Sequence, residues 1–186
     1  MINLASHSTE GGATQPRHIV VMGVSGSGKT TLAQQLAEEM GLPMAEGDEF
    51  HPDENIAKMA AGTPLTDEDR WPWLERLCSW MSAPHAKHGS IITCSALRRR
   101  YRDVLRAADG DVVFLHVVVE APELSIRMQH RSGHFMPPGL VGSQLATLEP
   151  LEADEHGLTL ANGTTIEELA AAAYRWLTPL AATRHP

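Results

Sequence analysis

Residues Gly23 to Thr30 read Gly-Val-Ser-Gly-Ser-Gly-Lys-Thr, and no other segment restricts the possible folds of this chain so much. The octet fits G-x-x-x-x-G-K-[ST], in which glycines let the backbone bend until successive N–H groups converge on phosphate oxygens. The positive end of the following helix lies behind them. Lys29 offers a point charge for β- and γ-phosphates, and the Thr30 hydroxyl offers a ligand for Mg²⁺. Gly23, Val24, Ser25, Gly26, Ser27, Gly28, Lys29, Thr30 and Thr31 therefore form the expected ATP-binding segment. The flanks suit it. His18 to Met22 is a short apolar run that predicts a buried strand, and Leu32, Leu36 and Met40 recur at helical spacing before Gly41.

Strand and helix signals alternate along the rest of the chain. Strands are expected at 43–46, 90–94, 111–119 and 158–160, and helices at 52–61, 67–83, about 96–108, 122–131 and 140–148. A last helix is expected to open with a Thr164–Glu167 capping box. Continuous apolar strands alternating with helices predict a parallel sheet covered on both faces, with ligands at the carboxyl ends of its strands. The 186 residues suit one domain. We assign it to 17–180, with a disordered tail at 1–16 and a Gly/Pro-rich lid at about 132–139.

The formal net charge of −8 argues against nucleic acid or an anionic membrane as the main partner. No run is long and apolar enough for a membrane span, and residues 1–16 lack the features of a secretory signal. The two cysteines, Cys78 and Cys94, read as reduced buried thiols, and a cytoplasmic location follows. The ten histidines are not grouped in a metal-binding pattern.

The predicted strand ends carry the remaining candidates. Glu46 and Asp48 follow the second strand at i, i+2. One is placed to hold Mg²⁺ or its water and the other to accept a proton from a hydroxyl; an Asp-rich turn capping the next helix is the alternative. Arg98 and Arg102, one helical turn apart after the third strand, are candidates to clamp a carboxylate. Arg127 and Arg131 lead into the expected lid, where they would neutralise a phosphoryl group in transfer. Trp71, Trp73 and Trp80 read as helix packing.

Taken together these segments resemble the gluconokinases, among the small P-loop kinases. The resemblance rests on Met22–Thr30, Gly47-Asp48, Phe50-His51-Pro52, Asn55 and Lys58-Met59. It continues through Pro64-Leu65, Asp69-Arg70, Pro72-Trp73-Leu74, Cys94-Ser95-Ala96-Leu97, Tyr101-Arg102-Asp103, Gly133-His134-Phe135-Met136 and Ser143-Gln144. It implies an α/β, three-layer P-loop NTPase fold with about five parallel strands, helices on both faces and a small lid. It also implies ATP-dependent phosphorylation of D-gluconate at the 6-hydroxyl by a homodimer using Mg²⁺. By resemblance, Lys29, Asp48, Arg127 and Arg131 are catalytic, and Thr30 and Glu46 hold the metal. Asp48, His51, Lys58, Arg70, Ser95, Arg98, Arg102, His134 and Gln144 bind substrate. Glu46 stands where many members carry Asp, and Arg98 where Lys is also common.

Two other readings stay open from sequence. One is a kinase of another small sugar acid, polyol or nucleotide, although 51–83 shows no obvious base-stacking pocket. The other is a non-catalytic gluconate-responsive ATP-binding regulator, against which the set of Lys29, Thr30, Asp48, Arg127 and Arg131 argues.

Overall fold

The computed structural model describes residues 15–129, 139–161 and 165–178. Residues 1–14 of the expected tail, the lid positions 132–138, and with them Arg131, His134 and Thr164, lie outside the described residues. The first half of the chain supplies β1 (Arg17–Met22), α1 (Lys29–Met40), β2 (Met44–Glu46), α2 (Asp53–Ala60), α3 (Asp67–Met81) and β3 (Ser90–Cys94). The second half supplies α4 (Arg99–Leu105), β4 (Asp111–Val118), α5 (Ala121–Gln129), α6 (Gly139–Thr147), β5 (Gly157–Ala161) and α7 (Ile166–Leu177). A 3₁₀ turn at Gly47–Phe50 follows β2.

The five strands are all parallel, in the order β2-β3-β1-β4-β5. Their carboxyl ends therefore open on one edge of the sheet. β1 explains why the strands read as unbroken apolar runs rather than alternating ones. Ile19 and Val21 pack under Leu32 and Leu36 of α1 and Leu169, Ala173 and Leu177 of α7. Val20 and Met22 face Trp73, Leu74 and Leu77 of α3 and Tyr101 and Leu105 of α4. With both faces covered, each buried aliphatic side chain contributes about 1.5–3 kcal/mol.

Three expected boundaries shift for local reasons. α1 begins at Lys29, inside the glycine-rich octet and ahead of the periodic Leu32, because Gly28 takes φ 99° as its N-cap and lets the helix start directly from the loop. α4 begins at Arg99, not Ala96: Ala96 sits at φ 44° and Arg98 is extended, so the chain turns before it coils. The last helix is capped by Thr165, whose hydroxyl accepts from the Glu168 amide, rather than by the Thr164–Glu167 pair.

Candidate active site

The loop between β1 and α1 is held against the sheet by close backbone approach. Gly23 has φ 139°, and a Cβ there would lie 2.6 Å from the Val117 carbonyl oxygen. Its N–H donates to the Ser95 carbonyl at 3.4 Å, tying the loop to the end of β3. α1 carries no acidic residue in its first turn, so nothing on the helix opposes an anion at that end. Lys29 Nζ donates to the Val24 carbonyl at 2.9 Å. Gln144, expected from the lid side, reaches the loop from α6: its Oε1 accepts the Ser25 N–H at 2.7 Å.

The end of β2 is built around Thr93 of β3. Its hydroxyl donates to Glu46 Oε2 at 2.5 Å and accepts the Gly47 N–H at 3.2 Å. This orients the carboxylate and leaves Glu46 Oε1 buried with no hydrogen-bond partner among the described residues. An unpaired buried carboxylate oxygen is costly unless a cation or its water occupies it. Together with the Thr30 hydroxyl on the same cavity wall, it is a donor set that fits Mg²⁺. Among the described residues no group of three or more His, Cys, Asp or Glu could hold a metal unaided, so phosphate and water would complete its shell. Asp48 follows in the 3₁₀ turn, exposed at the mouth.

Between these ends lies a cavity of about 500 Å³. Ser25, Lys29, Thr30, Glu46, Asp48, His51, Arg70, Ser95 and Gln144 line it, with Ile56, Met59, Pro64, Leu65 and Trp73 as its apolar wall. His51 is buried and stacked on Trp73, ring centroids 4.1 Å apart and planes 17° from parallel. Trp73 is fixed in turn by an Nε1–H donated to the Gly47 carbonyl at 2.7 Å. Burial pushes the His51 imidazole down to about 4; the Asp48 carboxylate opposes this and Arg70 adds to it. Arg70 hangs from the first turn of α3, donating to the Leu65 and Thr66 carbonyls and lying 5.4 Å from the Tyr101 ring centroid. Cys94 is buried at the cavity floor, where burial pushes its thiol up to about 12, so it is no nucleophile.

Four expected site residues stand apart from this cavity. Arg102 is a correction. It is completely buried, and its guanidinium is consumed by Glu155 and by the carbonyls of Ala96, Glu149 and Pro150. No donor is left to clamp a substrate carboxylate. Arg98 is half-exposed at the N-cap of α4, its backbone extended and outside the helix that carries Arg102. Lys58 points out from α2 to Asp69 Oδ1 at 2.6 Å, an ion pair that helps hold the Asp69 carboxyl down to about 2. Arg127 lies in the last turn of α5, its Nη2 2.6 Å from Glu123 Oε1.

The structure also brings in residues that sequence reasoning did not assign. Thr93 reads as one more β-branched strand residue, and nothing in its spacing marks it as the orienter of Glu46. Trp73, expected as packing, does pack but also forms cavity wall. Asn55 was visible within the resemblance but had no role; its side chain reaches His51.

Residues 25–136 match the shikimate kinase family. A gluconokinase of Gluconobacter oxydans (strain 621H) is 49% identical over 153 residues, covering 82% of this chain and 85% of its own. A sugar kinase from Janibacter sp. HTCC2649 superposes with a TM-score of 0.83 at 56% identity, covering 87% of this chain and 94% of its own. A gluconokinase from Sinorhizobium meliloti 1021 gives a TM-score of 0.77 at 41% identity, covering 89% and 93%.

Proposed function

The chain belongs to the gluconokinase family, and we propose that it transfers the γ-phosphoryl group of ATP to the 6-hydroxyl of D-gluconate. It is a kinase, and gluconate phosphorylation by ATP is the activity its relatives support. The observation that carries the finer reading is the shared cavity. Phosphate loop, paired carboxylates and a mixed cationic and hydrogen-bonding wall open into one space of about 500 Å³. Gluconate is a carboxylate with a chain of hydroxyls, and needs that mixture along its length.

In this reading the backbone N–H groups of 23–30 and the start of α1 hold the phosphates, and Lys29 swings from Val24 to stabilise charge on the transferring group. Asp48 receives the proton of the attacking hydroxyl. Arg70 supplies positive charge for the substrate carboxylate, and Ser95, His51 and Gln144 hydrogen-bond the polyol. Thr30 and Glu46 would hold Mg²⁺, which when bound neutralises the phosphate oxygens. Cytoplasmic location and homodimeric assembly complete the proposal, supported by the chemistry of the substrates and by the family resemblance. Among the described residues no helix is long and apolar enough to cross a membrane.

ADP release measured on a panel of sugar acids, polyols and nucleoside monophosphates tests this. Gluconate should be preferred, and Lys29→Met should abolish release in a folded protein, about 10²–10³-fold or more for a lost charge-stabilising donor. Preference for another acceptor would overturn the substrate, and full activity of Lys29→Met the phosphate site.

A further inference from the structure

Asn55 sits on the first turns of α2, buried, and its amide nitrogen has two acceptors on different elements. It donates to the Asp69 carbonyl on α3 at 2.7 Å and approaches His51 Nδ1 at 3.4 Å. The first contact settles the orientation of the amide, because a carbonyl oxygen accepts and cannot donate; the nitrogen, not Oδ1, must face it. The second N–H of the same group then meets His51 Nδ1, which must present a lone pair. A neutral imidazole with Nδ1 as acceptor carries its proton on Nε2.

We propose that Asn55 is a positioning residue that fixes the Nε2–H tautomer of His51, so that His51 acts as a neutral hydrogen-bond donor to a hydroxyl of the substrate. The inference rests on reading this cavity as the gluconate site. Its physical content is the direction of one hydrogen bond. A hydroxyl that accepts from Nε2–H keeps its own proton to give away, and the side chain of Asp48, on the same cavity, offers oxygens to accept it. The ring has little freedom to choose otherwise. Trp73 covers one face at 4.1 Å, and the amide of Asn55 holds one edge. The charged groups acting on it are Asp48 from the 3₁₀ turn and Arg70 from α3, while Asp69 offers Asn55 its carbonyl and gives its carboxylate to Lys58. Burial keeps the imidazole uncharged through the neutral range, in accord with a donor that works without a charge.

The test uses the full chain with ¹⁵N-labelled histidine. Two-bond nitrogen–proton spectra, with His51 assigned by its loss in His51→Gln, should show the Nε2–H tautomer from pH 8 to pH 5. In Asn55→Asp the carboxylate accepts from Nδ1–H, so the ring should reverse tautomer or become cationic near neutrality. The KM for gluconate should rise about tenfold or more, with kcat changed less, as for a lost hydrogen bond in a buried site. Its pH profile should acquire a limb near neutrality that the parent lacks. An Nδ1–H tautomer or an imidazolium in the parent at pH 7 overturns the proposal, whatever the variants do. An unchanged KM in His51→Gln would instead remove His51 from the gluconate site and leave the tautomer reading standing.

Discussion

Arg102 and Glu155 form a bidentate ion pair with no solvent exposure on either side chain, Nε to Oε1 at 2.6 Å and Nη2 to Oε2 at 2.7 Å. Burial alone would raise the Glu155 carboxyl, but the Arg102 hydrogen bonds bring it below its ordinary value. The remaining donors hold three carbonyls, among them that of Ala96, whose φ of 44° is a conformation non-glycine residues rarely adopt. The pair thus fastens the approach to β5 onto the turn that presents Ser95 to the cavity.

Arg102→Leu should therefore act on stability, by about 3 kcal/mol, because it strips the buried Glu155 of its bidentate partner and leaves only Arg106 and Arg99 at 3.8 and 3.9 Å. The double variant Arg102→Leu/Glu155→Leu should recover much of that loss. Denaturant unfolding of the two proteins checks it. An Arg102→Leu protein of undiminished stability whose only defect is a raised KM for gluconate would restore Arg102 to the substrate site.

Gly47 should tolerate no side chain, although its backbone does not need the left-handed region. A Cβ there would stand 2.1 Å from the Thr93 carbonyl oxygen, and Gly47 also holds Thr93 Oγ1 and the Trp73 indole. Gly47→Ala should lower stability by about 1–3 kcal/mol through overpacking and depress kcat by displacing the neighbouring Asp48. Thermal unfolding and steady-state kinetics read the two effects, and an unchanged midpoint would contradict the close approach.

Asp48→Asn keeps the shape of the turn and removes the proton acceptor. We expect kcat to fall about 10²–10⁴-fold, the span typical of a lost general base, with ATP affinity nearly unchanged. Near-normal kcat would reduce Asp48 to a turn residue.

The phosphate loop, the parallel sheet and the carboxylates at the end of β2 were legible because each is a local pattern: glycine spacing, apolar runs, i, i+2 acids. What was not legible depends on partners distant in sequence. Arg98 and Arg102 look alike in a helical repeat, yet one caps α4 and the other is absorbed by Glu155, 53 residues on. The orientation of Glu46 is set by Thr93, 47 residues away, and that of His51 by an asparagine anchored to the Asp69 backbone. Capping signals were present but degenerate, since Thr164 and Thr165 are followed by Glu167 and Glu168 and only the helix start chooses between the pairs.

Stability should fall as pH drops from about 6.5 to about 4, because burial pushes both His51 and His116 down to about 4. His116 lies in β4, almost fully buried, with Nδ1 unpartnered among the described residues and Arg102 lowering it further. In this window the unfolded chain binds protons at both histidines and the native protein does not, so acid favours unfolding; above about 6.5 both states are neutral and the dependence ends. Full titration of each group is worth on the order of 3 kcal/mol. The carboxylates join only at the lower edge of the window, so the step from pH 7 to 5.5 isolates the histidines. Asp69 and Asp154 are held down to about 2 by Lys58 and Arg99, and Asp67 and Glu155 are lowered by their hydrogen bonds from Tyr101 and Arg102, so the carboxylates lose their contribution from about pH 5 downward. Denaturant unfolding at pH 7, 5.5 and 4.5 should show the decline, and His51→Gln/His116→Gln should make it shallower, with His18, also lowered by burial, carrying part of the remainder. Equal stability of the parent at all three values would mean that these rings are charged in the native state, and that Trp73 and the β4 core do not exclude the proton.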